Sequence, residues 1–223
     1  MATGLAAVTV TAAIGVVLHA HPGPNAVDRL GFTLLPASPN SGFFHVVTWL
    51  GSVTALVIGS VGAALVAWFT GPRDRGRVLA CLVSPAAATV ANQLLLKPIV
   101  ARLYVGEISF TSGSVTVIAA ISAVWLLAIP RRMRPTTTVF GIATVSVVIV
   151  AVVALQWHYP TDALAGALFG LGMVLLVDGA IGIASGRGND RFRAGRPHAV
   201  RHWRRSSRTH YEVEPVVEKT TVR

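Results

Sequence analysis

The chain has 223 residues, of which 53% are hydrophobic and 13% charged, with a mean hydropathy of +0.64. Too few polar side chains remain to coat a water-soluble globule, so the composition excludes one and predicts an integral membrane protein. The net charge is +10, yet residues 185–223 hold ten Lys or Arg against four Asp or Glu, which leaves +4 for the 184 residues before them. The single cysteine, Cys81, excludes an intrachain disulfide framework and any Cys-rich metal site.

Polar punctuation marks off six apolar stretches, at about 2–19, 43–70, 78–96, 115–130, 137–157 and 163–184. At ~1.5 Å per residue against a hydrocarbon core of ~30 Å, most are long enough to cross a bilayer. The first has no basic residue ahead of it, so it reads as a retained helix and not a secretory signal. The fourth is the shortest and reaches crossing length by starting at Ser114 and running into Arg131. The expected fold class is an all-α integral membrane bundle of six transmembrane helices over residues 1–184, followed by a basic tail at 185–223. No internal repeat relates the six segments, and small residues such as Gly166 and Gly170 suit close helix packing.

Short basic loops set the orientation. Arg73, Arg75 and Arg77 separate the second and third stretches, and Arg131, Arg132 and Arg134 separate the fourth and fifth, so the positive-inside rule makes both loops cytoplasmic. Six crossings put the N-terminus and the tail on that same side, as expected of a plasma (inner) membrane protein. The tail's Arg201, Arg204, Arg205 and Arg208, interleaved with His202, Trp203, His210 and Tyr211, read as a disordered segment contacting anionic headgroups; no nucleic acid is expected.

Residues 20–42, 97–113 and 158–162 then fall on the outer face, with nearly every residue suited to chemistry. Lys97 and Arg102 stand where positive charge is otherwise scarce, which asks for an anionic partner. Ser112-Gly113-Ser114 precede the fourth stretch, where a helix N-terminus leaves amides free to bind phosphate. His158 and Asp162 lie four apart around Pro160, a residue suited to a helix start. A histidine oriented by a carboxylate is a nucleophile, and cations with free amides stabilise a phosphoryl group in transfer. Taken singly, each has a plainer reading: Lys97 and Arg102 as interfacial cations, His158-Tyr159 as part of a headgroup belt, Ser112–Ser114 as a cap, Asp162 as a helix-dipole partner. Their grouping on one face favours a site.

These residues resemble the type 2 phosphatidic acid phosphatase superfamily, membrane phosphatases related to the vanadium haloperoxidases, whose signature runs K-x6-R-P, P-S-G-H and S-R-x5-H-x3-D. The resemblance spans roughly residues 40–184 and is carried best by His158-Tyr159-Pro160-Thr161-Asp162 with Gly166, together with Lys97-Pro98. It implies that His158 forms a phosphohistidine intermediate, that Asp162 orients it, and that Lys97, Arg102, Ser112, Gly113 and Ser114 bind phosphate, without a metal or other cofactor. It implies a lipid-linked phosphate or diphosphate as substrate, of the phosphatidic acid or polyprenyl diphosphate class.

The chain departs from the signature in three places. Arg102 follows Lys97 by five residues, Ser114 replaces the histidine that protonates the leaving group, and Ala151-Val152 replace the Ser-Arg pair. Loss of a general acid costs ~10²–10⁴-fold, so weakened activity is expected, with preference for diphosphates or aryl phosphates whose leaving groups need less protonation. The alternative is a non-catalytic relative that binds lipid phosphate or acts as a scaffold. Glu107, Tyr104 and His45 are candidate substitute acids. A transporter reading would rest on Asp178, which lies about 24 Å along the helix from Asp162 at ~1.5 Å per residue and so outside the site. Asn92, Gln93 and Gln156 read as interhelical hydrogen-bonders or site supports.

Overall fold

The structure is a computed structural model that describes residues 1–70 and 74–186. Arg73 and the tail's basic and aromatic residues lie outside the described residues. Met1–Ser185 forms one compact unit.

Its helices are α1 (Ala2–Ala20), α2 (Ala26–Leu34), α3 (Gly42–Thr48), α4 (Val53–Thr70), α5 (Arg75–Ala91), α6 (Lys97–Val100), α7 (Gly113–Ala128), α8 (Arg134–Ala154) and α9 (Pro160–Ala184). A wide π-helical turn, Asn92–Leu96, joins α5 to α6, so one helical body runs over Arg75–Val100. Pro98 accounts for that turn, because it lacks the N–H an α-helix needs and its ring crowds the carbonyl four residues back. A short hairpin, β1 (Leu103–Tyr104) and β2 (Glu107–Ile108), supplies the only strands among the described residues.

Among the described residues, five helical bodies are long and apolar enough to cross a membrane: Ala2–Ala20, Val53–Thr70, Arg75–Val100, Arg131–Ala154 and Pro160–Ala184. The expected fourth crossing, α7, has 16 residues, about 24 Å at ~1.5 Å per residue. It is the centre of the bundle, with ten of those residues buried and with α4, α5, α8 and α9 packed around it. The expected second crossing is divided, since Trp49–Gly51 forms a tight turn between α3 and α4. Ser52 restarts the helix by accepting the Ala55 amide at 3.1 Å.

Missing side chains let the backbones meet. A Cβ on Gly170 of α9 would lie 2.4 Å from the Thr116 carbonyl oxygen of α7, and one on Gly166 would lie 2.7 Å from that of Ser112. A Cβ on Gly4 of α1 would lie 2.5 Å from the Leu176 amide of α9. The glycines expected to serve packing do so, and Gly166 also lets α9 approach the loop that carries Ser112.

Several loop ends converge at one end of the bundle. His19 Nδ1 meets the Val100 carbonyl at 2.9 Å, the Ser38 amide donates to the Ala154 carbonyl at 2.7 Å, and Gly51 packs on Ser114. The segments 20–42, 101–112 and 155–159 therefore build one surface.

Gly170→Ala should lower the thermal unfolding midpoint in detergent, by about 1–3 kcal/mol of overpacking. Cys81 is fully buried and reports the change directly: a thiol-reactive dye should label it only on unfolding, and at lower temperature in the variant.

Candidate active site

The site is organised around Arg102. Ala101 adopts a left-handed conformation, φ 47°, ending α6 and turning the chain inward. The Arg102 guanidinium is fully buried, and each of its five N–H donors has an acceptor. Nε donates to the Pro22 carbonyl at 3.0 Å, and Nη2 to the Gly23 carbonyl at 3.0 Å and to Asp28 at 2.7 Å. Nη1 donates to Thr161 Oγ1 at 2.9 Å and to Asp162 at 2.7 Å. Its Cζ also stands 3.9 Å from the centre of the Tyr159 ring.

Asp28 had no part in the sequence analysis. It sits in the first turn of α2, where Asn25 and Asp28 form a reciprocal capping box, each side chain accepting from the other's amide at 3.0–3.1 Å. One Asp28 oxygen also accepts from the Thr161 amide at 2.9 Å and hydroxyl at 2.7 Å, and the other from Arg102. Burial works to raise this carboxyl, but the hydrogen bonds from Arg102, Thr161 and Asn25 outweigh it and hold Asp28 below its ordinary value. Burial likewise opposes the Arg102 charge, and Asp28 and Asp162 restore it, leaving the guanidinium above its ordinary value. The signal for Asp28 was Asn25-x-x-Asp28, a helix start in a loop read as irregular.

Asp162 accepts from Arg102 and from the Ser109 hydroxyl. His158 Nδ1 lies 3.0 Å from the Ser109 carbonyl oxygen. The resemblance joined Asp162 to His158 directly; the structure joins them through Ser109, because Arg102 draws the carboxylate to its own side. A carbonyl can only accept, so Nδ1 carries the proton and Nε2 keeps the lone pair. Burial and the nearby Lys97 charge pull His158 down to about 4, against the raising effect of the Ser109 hydrogen bond, so the imidazole is neutral at pH 7.

His158 and Lys97 line one cavity of about 430 Å³, with Tyr104, Val105, Glu107, Ile108, Gln156 and Trp157. Two of the substitute acids thus face the same space as the histidine. Tyr104 donates to Gln156 Oε1 at 2.8 Å, and burial, with Tyr159 beside it, raises its pKa and keeps the phenol protonated. His45 is outside this lining; it meets the Pro39 carbonyl at 3.2 Å and the Trp157 ring at 5.5 Å.

Ser112, Gly113 and Ser114 begin α7 and do not line the cavity. The Ser112 amide donates to the Asp162 carbonyl at 3.1 Å, and its carbonyl accepts from Thr116. Its hydroxyl is buried with no partner among the described residues. Gly113 is shaped by Gln93, whose Nε2 lies 2.8 Å from where a Cβ would stand. Asn92 bridges helices, donating to Thr116 at 3.2 Å and accepting from Thr111. Of the phosphate ligands that the resemblance implies, Lys97 reaches the cavity, the Ser112 hydroxyl is unpartnered, and Arg102 has every donor engaged by protein.

Removing one member of a buried ion cluster strands the others, at a cost of about 3–5 kcal/mol. Arg102→Ala, which leaves two carboxylates buried, should therefore unfold at a lower temperature than Lys97→Ala in the same dye assay. A second expectation concerns protonation. In two-bond 1H–15N spectra, His158 should remain a neutral Nδ1–H tautomer from pH 7 down to pH 5 and protonate near 4.

A search of solved structures finds the crystal structure of the first transmembrane PAP2 type phosphatidylglycerolphosphate phosphatase from Bacillus subtilis, at 20% sequence identity and a TM-score of 0.62. The alignment covers 80% of this chain and 96% of that one. No family model and no curated protein matches the sequence. At that identity the likeness establishes the fold: this is an integral membrane protein folded as a transmembrane phosphatase of the PAP2 type.

Proposed function

We propose that the chain is a membrane lipid phosphatase of the type 2 phosphatidic acid phosphatase superfamily, acting on a lipid-linked phosphate or diphosphate through His158. The observation that carries this reading is the neutral His158, its Nδ1 proton held by Ser109, beside Lys97 in one cavity. Nε2 attacks phosphorus, the bond from phosphorus to the leaving oxygen breaks, and water then hydrolyses the phosphohistidine. Lys97 and the Ser112 hydroxyl take up charge on the phosphoryl oxygens, with Gly113 and Ser114 supplying backbone contacts. Arg102 and Asp162 act behind His158, through Ser109. Ser114 cannot protonate a departing alkoxide as histidine does, so a side chain of the same cavity, Tyr104 or Glu107, takes over that role, or the leaving group is a phosphate that needs no proton.

In the proposed topology α7 completes six crossings, both termini are cytoplasmic, and the cavity opens on the outer face. The basic tail lies against anionic headgroups. One observation favours a second reading, a non-catalytic relative that binds lipid phosphate: the family arginine is consumed by protein contacts and the acid histidine is absent.

Phosphate release should be measured on detergent-purified protein with phosphatidic acid and with a polyprenyl diphosphate, without added metal. The parent should turn over the diphosphate at least tenfold faster, His158→Ala should abolish release, and Ser114→His should raise it most for phosphatidic acid. Equal rates on both lipids would remove the leaving-group argument. Binding of both without release would establish the second reading.

A further inference from the structure

Helix α2 has three sides. At about 100° per residue, Asp28, Gly31, Phe32 and Leu35 fall on one of them, and that side faces the protein. Asp28 holds Arg102 and Thr161, a Cβ on Gly31 would strike Pro160 at 2.5 Å, and Phe32 packs on Tyr104 and Tyr159 at 6.1 and 6.0 Å. Val27, Leu30 and Leu34 form a second side, 50%, 60% and 68% exposed. Ala26, Arg29 and Thr33 form the third, also exposed, with Arg29 reaching the Pro24 carbonyl.

The apolar and polar sides flank the protein-facing side on opposite edges. A helix bathed in water on both edges gains nothing from this division, whereas one lying flat at a membrane surface has lipid along one edge and water along the other. The position agrees, because α2 connects the end of α1 to the start of α3, where neighbouring crossings end. The same end carries Phe43, Val46, Trp49, Val105 and Trp157, exposed between 44% and 82%. Val105 and Gly106 are the hairpin tip and both have positive φ, a pairing that favours Asn-Gly. A β-branched apolar residue there presents its side chain outward at a backbone cost, which suits contact with lipid.

We infer that α2 is an interfacial helix whose Val27, Leu30 and Leu34 edge lies in the headgroup–acyl boundary of the bilayer, while Asp28 on its inner side holds the segment that carries His158. Lipid is the occupant, in continuity with the apolar belt of the crossings. The path inward runs from Asp28 to Arg102, to Asp162, to Ser109 and to His158, each link a hydrogen bond. Asp28 is a positioning residue.

Two measurements on the full chain test this, and neither requires turnover, so their failure is distinct from failure of the phosphatase reading. In a Cys81→Ala background, nitroxides at Leu30→Cys and Thr33→Cys are compared in phosphatidylglycerol–phosphatidylethanolamine bilayers. The ratio of oxygen to nickel-chelate accessibility should be severalfold higher at 30 than at 33. Equal aqueous accessibility at both positions, or dipolar coupling between labels at 30 that marks a second copy, overturns the lipid placement. The second measurement follows the His158 ring resonance. Asp28→Asn should shift it in bilayers while the α1 and α4 amides keep their positions, and Leu30→Asp should shift it in the same direction. A His158 resonance unmoved in both variants overturns the coupling.

Discussion

A fully buried guanidinium held between two buried carboxylates is the constraint on which the cavity-bearing end of this molecule depends. Burying three charges is costly, and the cluster is tolerable only because every Arg102 donor finds an acceptor. Those acceptors come from two parts of the chain, Pro22, Gly23 and Asp28 ahead of and within α2 and Thr161 and Asp162 at the start of α9, and they meet Arg102 from a third, beyond α6. The cluster therefore closes the site mechanically. No single segment could satisfy the guanidinium alone, and none can leave without stranding a charge.

That closure reshapes the chemistry. With Arg102 and Asp162 joined, the positive charge left facing the cavity is Lys97, and the histidine depends on a backbone carbonyl for its orientation. A carbonyl fixes the tautomer as well as a carboxylate does, but it stabilises an imidazolium less. The low pKa of His158 follows from burial and from Lys97, which outweigh the raising effect of the Ser109 carbonyl. Such a histidine is available as a base or nucleophile over the whole physiological range, though its basicity is modest. It suits reactions in which the leaving group departs readily more than those in which the nucleophile must push.

The sequence made the membrane bundle and the site's location legible because both rest on local signals: apolar run length, basic loops, and a motif whose residues lie within one turn of each other. His158 and Lys97 do meet in one cavity. Pairwise contacts were less legible. The i, i+4 spacing of His158 and Asp162 suggested a direct bond, but a third, distant residue competes for the carboxylate, and nothing in the spacing announces Arg102 as that competitor. Asp28 was hidden for a similar reason. Its capping box is a local feature, while its role depends on two loops more than seventy residues away. The π-helical turn before Lys97 was equally out of reach, since it answers to Pro98 in a packed setting, whereas the short α7 was already legible as the shortest apolar stretch.

Position 114, where the resembled signature has histidine, is tied to packing as well as to sequence. Gly51 lies so close to Ser114 that a Cβ on the glycine would stand 2.5 Å from both Cα and Cβ of the serine. The Trp49–Gly51 turn that divides the second apolar stretch thus rests on the position where the family signature has histidine. The broken helix, the glycine at its break and the serine beneath it pack as one unit, in which the approach of the turn depends on the missing side chain at Gly51. The departure from the resembled signature is thus bound up with how this end of the bundle packs, while the titratable groups that share the cavity lining with His158 are Lys97, Tyr104 and Glu107.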